Sequence, residues 1–286
     1  MADLMVNGIK VEYQLLGDPP GQPVVITPGR RFAKEYIGVP QLGQALAELG
    51  MYALIWDRPG CGGSDISYEG RSESHMHAET MIGLVRELGL GKIVVTGGSA
   101  GSRVSIIAAA MAPEVVSHLC VWWISGGPLS LAMLAGHYYG DQAMAALRGG
   151  MEAVAALPSW AEQIVRNPRN RDIILAQDPE AFVERMQDWA KLFAWSETSP
   201  VPGMEPADFK RLAMPVRIYR SGRKDLHHTR RTSEWLHEMI PHSEFVDPPW
   251  PEDEWNAVSD VMMEPGRGLF ESWPMLAPEI AAFAKG

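Results

Sequence analysis

The stretch from Lys92 to Arg103 constrains this chain of 286 residues more than any other, because it packs a strand, a tight turn and a helix into one short run. Ile93, Val94, Val95 and Thr96 are apolar or β-branched and read as a buried strand. They lead into Gly97-Gly98-Ser99-Ala100-Gly101, after which Val104 to Met111 reads as a helix. A serine at the apex of so sharp a turn needs neighbours without side chains, since a Cβ at Gly97 or Gly101 would strike the flanking strand or helix. The arrangement exposes Ser99 Oγ above the sheet edge. It also points the Ala100 backbone N–H, at a helix N-terminus, toward the same spot, where it stabilises developing negative charge. A Gly/Ser turn that merely links a strand to a helix has the same composition, so the nucleophile reading rests on the strand-turn-helix context.

The rest of the chain alternates in the same way. Val6-Asn7-Gly8 is a turn before the strict alternation Ile9-Lys10-Val11-Glu12-Tyr13-Gln14-Leu15, so the chain opens with an antiparallel hairpin. Pro23 to Thr27 is a continuous apolar run that ends at Pro28-Gly29-Arg30-Arg31-Phe32, and Leu42, Ala45, Leu46 and Leu49 mark one helix face. Tyr52 to Trp56 is the next buried strand, followed by a glycine-rich loop and a helix over about 74–88. A further strand covers 115–124. This is the spacing of βαβ units: an α/β fold with a mainly parallel, twisted sheet and helices on both faces.

From Gly126 to about Pro206 no apolar strand run occurs, and Met133, Met144, Met151, Met186, Trp160, Trp189 and Trp195 punctuate helical stretches. The expected organisation is a core domain of residues 1–125 and 207–286 with a helical cap insertion over 126–206. Met and aromatic residues at such spacing serve as plain core or as an apolar pocket lining. The sheet resumes at Met214–Tyr219. The helix 232–239, the strand Glu244-Phe245-Val246 and a closing helix over about 274–284 complete it.

With 35 acidic against 25 basic residues, a net charge of −10 and no basic stripe, the chain lacks what a nucleic-acid partner or an anionic membrane surface requires. Cys61 and Cys120 sit in a glycine-rich loop and a buried strand, which suggests neither a disulfide framework nor a metal site. No basic n-region or apolar h-region opens the sequence and no apolar run approaches about 20 residues. The expectation is a cytoplasmic protein acting on a small molecule, with no metal and no cofactor.

With these residues in view, the chain resembles the α/β-hydrolase fold superfamily over most of its length outside the insertion. Gly97-Gly98-Ser99-Ala100-Gly101 is similar to that family's nucleophile elbow, and its wording is locally similar to the proline iminopeptidase branch. Asp57-Arg58-Pro59-Gly60-Cys61-Gly62-Gly63-Ser64 is similar to the D-x-P-G-x-G-x-S loop. Pro28-Gly29-Arg30 stands where the family usually has His-Gly-x, and the resemblance implies that the Arg30 and Ala100 N–H groups form the oxyanion hole. Ser221-Gly222-Arg223-Lys224-Asp225 matches the position of the triad acid, which the resemblance assigns to Asp225, although an aspartate there also suits a helix cap.

The family's histidine lies in the loop after the last strand. Here that loop reads Asp247-Pro248-Pro249-Trp250-Pro251-Glu252-Asp253-Glu254-Trp255, with no histidine from Ser243 to the C-terminus. A serine hydroxyl without a base is a poor nucleophile at neutral pH. His227 and His228 follow Asp225 closely enough to reach the same sheet edge, and His228 is the candidate base from a shifted position. His137 in the cap and a carboxylate among Glu252, Asp253 and Glu254 are the alternatives. Gly29, Arg30, Arg31 and Ala100 are candidate oxyanion and substrate contacts, Arg30 and Arg31 being suited to an anionic group.

Three functions are open on this sequence. One is a serine hydrolase that cleaves an ester, lactone or amide through an acyl-Ser99 intermediate with an atypical triad. Another is a lyase or carbon–carbon cleaving enzyme that uses only the oxyanion hole, and the last is a ligand-binding protein that has lost catalysis.

Overall fold

The computed structural model describes residues 2–286. Eight strands form one sheet in the spatial order β1-β2-β4-β3-β5-β6-β7-β8. They are β1 (Ala2–Val6), β2 (Ile9–Leu16), β3 (Gln22–Thr27), β4 (Met51–Trp56), β5 (Ile93–Ser99), β6 (Val116–Ile124), β7 (Val216–Tyr219) and β8 (Glu244–Val246). Asn7 and Gly8, with φ of 51° and 81°, make the two-residue turn of the opening hairpin, whose left-handed backbone matches the twist of the paired strands. β2 pairs antiparallel with β4, and from β4 to β8 every neighbour is parallel.

Helices cover both faces, as continuous apolar strands require. On one face Glu73–Glu87, Ala100–Met111 and Arg230–Met239 pack over Val25, Leu54, Val95, Val121 and Ile218. On the other, Val39–Glu48, Glu254–Val261 and Ala277–Phe283 cover Val24, Ile26, Ile55, Val94 and Trp122. Five helices between Pro128 and Phe193 join β6 to β7 and share a separate apolar cluster of Tyr138, Tyr139, Trp160, Phe182, Met186 and Trp189 with Ile66, Tyr68 and Met76 from the sheet side.

Two details differ from the sequence reading. β5 runs through Gly97 and Gly98 to Ser99 rather than stopping at Thr96, since both glycines keep their parallel partners on β6, Val121 and Trp122. The acidic, proline-rich segment after β8 is not all loop: Glu254–Val261 is a helix, and it carries Trp255 back against the sheet.

The loop after β4 is knitted by its first residue. The Asp57 carboxylate accepts from the Gly63 and Lys34 backbone N–H groups at 3.0 and 2.6 Å, and Ser64 Oγ donates to the Asp57 carbonyl at 2.7 Å. A side chain at Gly62 would occupy the place of that carboxylate, which is why glycine is required there. Lys34 Nζ, wholly buried, reaches Asp57, Glu12 and Glu35 at 2.9, 3.0 and 2.6 Å, so an ammonium group already occupies the point where these three carboxylates converge.

Candidate active site

Ser99 ends β5 with φ 58° and ψ −124°, a left-handed backbone that holds its side chain out of both strand and helix. The glycines around it have the expected steric cause. A Cβ on Gly97 would lie 2.6 Å from the Gly101 backbone, and one on Gly101 would overlap the Thr27 carbonyl oxygen. The register of β5 on β6 shifts between Gly98 and Ser99, so the serine rises from the sheet edge. Ala100 is the first residue of the following helix, and its N–H belongs to the set that has no partner within the helix.

Asp225 and His228 come from the loop after β7. Asp225 Oδ1 accepts from the His227 and His228 backbone N–H groups, both at 2.9 Å, and this turn folds the chain so that Asp225 Oδ2 lies 2.8 Å from His228 Nδ1. His228 Nε2 lies 2.9 Å from Ser99 Oγ. Serine, imidazole and carboxylate thus form one continuous hydrogen-bonded chain, and all three residues are buried. The imidazole is clamped by indoles. Trp123 stacks on it at 5.9 Å between centroids, and Trp255 meets it edge-on at 4.4 Å.

Such a chain has the geometry in which a serine proton passes to an imidazole whose far nitrogen is held by a carboxylate. The loop after β3 lies alongside. A Cβ on Gly29 would come within 2.9 Å of Ser99 Cβ, so that backbone is in direct contact with the serine. Arg30 follows with φ 44°, and buried Arg58 spans from the next loop to donate through one Nη2 to both the Gly29 carbonyl, at 3.2 Å, and the Arg30 carbonyl. Arg58 therefore holds the carbonyls of this loop on its own side. The sequence reading did not single it out.

The other candidate bases lie elsewhere. His137 is exposed and sits 3.4 Å from Asp141. Glu252 pairs with Arg230 at 2.5 Å, and Asp253 is exposed. Glu254 borders a polar cleft behind Asp225, with its carboxyl raised by burial. Arg30 borders the space above Ser99 and its guanidinium lies over Phe32, whereas Arg31 turns the other way, to Glu73 at 3.0 Å between the rings of Tyr138 and Trp160. Burial alone would raise Glu73, but Arg31, His77 and Arg103 outweigh it and hold the carboxyl at about 2.

Above Ser99 is a cavity of about 100 Å³, bordered by Ala100, Arg103, Leu134, Tyr138 and His228 among others. Arg103 is a further member that sequence reading missed.

The sheet order, the serine at the end of β5 and the helical excursion after β6 define the class: this chain has the α/β-hydrolase fold. No protein-family model and no curated protein matches the sequence. Solved structures do match. An enol-lactonase from Burkholderia xenovorans LB400 is similar over the whole of both chains, at 17% identity and a TM-score of 0.59. A thermophilic esterase from Thermogutta terrifontis matches 99% of this chain and 96% of its own at 19% identity and a TM-score of 0.56. An esterase from Exiguobacterium antarcticum covers 99% of both chains at 14% identity and a TM-score of 0.61. Among the described residues no helix is long and apolar enough to cross a membrane.

Proposed function

We propose that this protein is a serine hydrolase that cleaves an ester, lactone or amide of a small, partly apolar substrate through an acyl-Ser99 intermediate. The observation that carries the reading is the hydrogen-bonded chain Ser99–His228–Asp225, at 2.9 and 2.8 Å. The similar folds named as a lactonase and as esterases point the same way.

In this reading Ser99 Oγ attacks the substrate carbonyl carbon while His228 Nε2 takes the hydroxyl proton. Asp225 fixes the tautomer with the proton on Nδ1 and stabilises the imidazolium. The Arg30 and Ala100 N–H groups receive the oxyanion, and Arg58 keeps the Gly29 and Arg30 carbonyls turned away from it. Collapse of the tetrahedral intermediate breaks the bond to the leaving oxygen or nitrogen, which takes the proton back from His228. Water, deprotonated by His228, then releases the acid and restores Ser99. The helices of residues 126–206 act as a cap that contributes Leu134 and Tyr138 to the acyl site.

With His228 as base, the lack of a C-terminal histidine no longer argues for a lyase or for a lapsed enzyme. The test is release of 4-nitrophenol from 4-nitrophenyl butyrate. The wild type is expected to turn over and Ser99→Ala, with unchanged circular dichroism, to fall to background; equal rates in the two proteins would overturn the reading.

A further inference from the structure

Arg103 lies on the helix that Ser99 opens, one turn beyond Ala100, and is 5% exposed. Its Nε donates to Ser74 Oγ at 2.8 Å, and its guanidinium lies 4.7 Å over the Phe193 ring. Its Nη1 is fully shielded from solvent and has no acceptor among the described residues. A buried cation in this state is anomalous, since such groups are normally paired or satisfied by several acceptors.

The charge around it does not balance either. Arg58 and Arg103 are buried and Arg31 is half-buried here, and Glu73 is the carboxylate beside Arg31 and Arg103. Glu73 is taken by Arg31 at 3.0 Å, and Arg58 gives its Nη2 to the Gly29 and Arg30 carbonyls while its own buried Nε has no acceptor among the described residues. Tyr138 and Tyr139 lie close by, and Tyr139 donates its hydroxyl to Glu73 at 3.3 Å. Burial lowers the Arg103 guanidinium below the ordinary arginine range, the direction expected of a cation lacking a counterion.

Arg103 also borders the cavity over Ser99. The cavity that Ser99 and Arg103 both border, about 100 Å³, has room for a short acyl chain only. We propose that Arg103 is a specificity-determining residue that binds a carboxylate carried on the acyl part of the substrate, so that the preferred substrates are half-esters of small dicarboxylic acids, or lactones that carry a carboxylate. This rests on the serine-hydrolase reading.

The experiment compares ethyl hydrogen succinate with ethyl butyrate, and ethyl hydrogen glutarate with ethyl valerate, by pH-stat on the wild type and on Arg103→Met. Each pair differs by a carboxylate in place of a methyl group. The expected result is a kcat/KM at least tenfold higher for the charged member of one pair in the wild type, and collapse or inversion of that ratio in Arg103→Met. Because the ratio is taken within one protein, partial unfolding of the variant does not alter it. Turnover of the neutral esters with no preference for either charged ester, or a ratio unchanged by Arg103→Met, overturns the carboxylate site and leaves the hydrolase reading standing. No turnover of any ester by the wild type goes against the hydrolase reading instead. The carboxylate site is then judged by calorimetry with succinate and glutarate on Ser99→Ala: saturable binding abolished by adding Arg103→Met supports it, and no binding of either anion overturns it.

Discussion

Trp255 lies edge-on to His228, with ring centroids 4.4 Å apart, on the segment where α/β-hydrolases place their histidine. That segment still comes back over the sheet edge, but it brings an indole instead of an imidazole. The imidazole reaches the serine from the preceding loop, three residues after Asp225. The acid and the candidate base therefore share one turn, held by the two backbone N–H groups that bond Asp225 Oδ1, and the segment after β8 forms a wall behind them.

If this chain of groups acts as a unit, its members should fail together. His228→Ala and Asp225→Asn are each expected to lower kcat by roughly 10⁴-fold with little change in KM. Combining His228→Ala with Ser99→Ala should cost no more than Ser99→Ala alone. His137→Ala, which alters an exposed residue paired with Asp141, should retain activity. Steady-state kinetics on a 4-nitrophenyl ester checks all four, and a loss in His137→Ala larger than that in His228→Ala would contradict the assignment.

Lys34 gives a prediction on stability. Lys34→Met removes the cation from Asp57 and leaves a buried carboxylate facing Glu12 and Glu35, at an expected loss of about 3–5 kcal/mol in urea unfolding. Burial already raises the Asp57 carboxyl above its unfolded value near 3.9 with Lys34 in place, and removing the cation raises it further, so the folded variant binds the extra proton at a higher pH than the wild type. The deficit is therefore full at neutral pH and shrinks as pH falls toward 4. A deficit independent of pH would show that Lys34 acts through packing alone.

His77 sets the sign of a second pH effect. Its burial, against Arg58 and Arg31, pulls the imidazole down to about 3, and its Nε2 lies 2.9 Å from the Pro59 carbonyl, to which the neutral ring donates. Unfolded, it titrates near 6.5. Between these values the unfolded chain binds a proton that the folded one does not, so stability is full above about 6.5 and falls as pH falls, by up to about 1.4 kcal/mol per pH unit. In His77→Gln, which keeps a donor for Pro59, that part of the slope between pH 6.5 and 4 should vanish. An unchanged slope in urea titrations would assign it to other groups.

Much of this was legible in the sequence, for reasons that can be named. The turn at Ser99 was readable because its glycines answer to steric contacts with Thr27 and with each other, which no other residue meets. Buried parallel strands were readable as unbroken apolar runs. Arg58, Lys34 and Arg103 were not, because a charged residue in a loop or helix reads as solvated until tertiary structure shows it enclosed. The acidic, proline-rich run from Asp247 read as loop, since the contact that orders Glu254–Val261 is between Trp255 and Trp123, far away in sequence. Arg30 and Arg31 read as one pair because they are adjacent; the left-handed backbone at Arg30 lies between two side chains that go to different neighbours.

The central claim is that Ser99 is activated by His228, and intact-mass spectrometry after treatment with a fluorophosphonate tests it most directly. The wild type is expected to gain the mass of one phosphonyl group, Ser99→Ala none, and His228→Ala to react at least a hundredfold more slowly while keeping its fold. No adduct on the folded wild type, or equal labelling of the wild type and His228→Ala, would contradict the account.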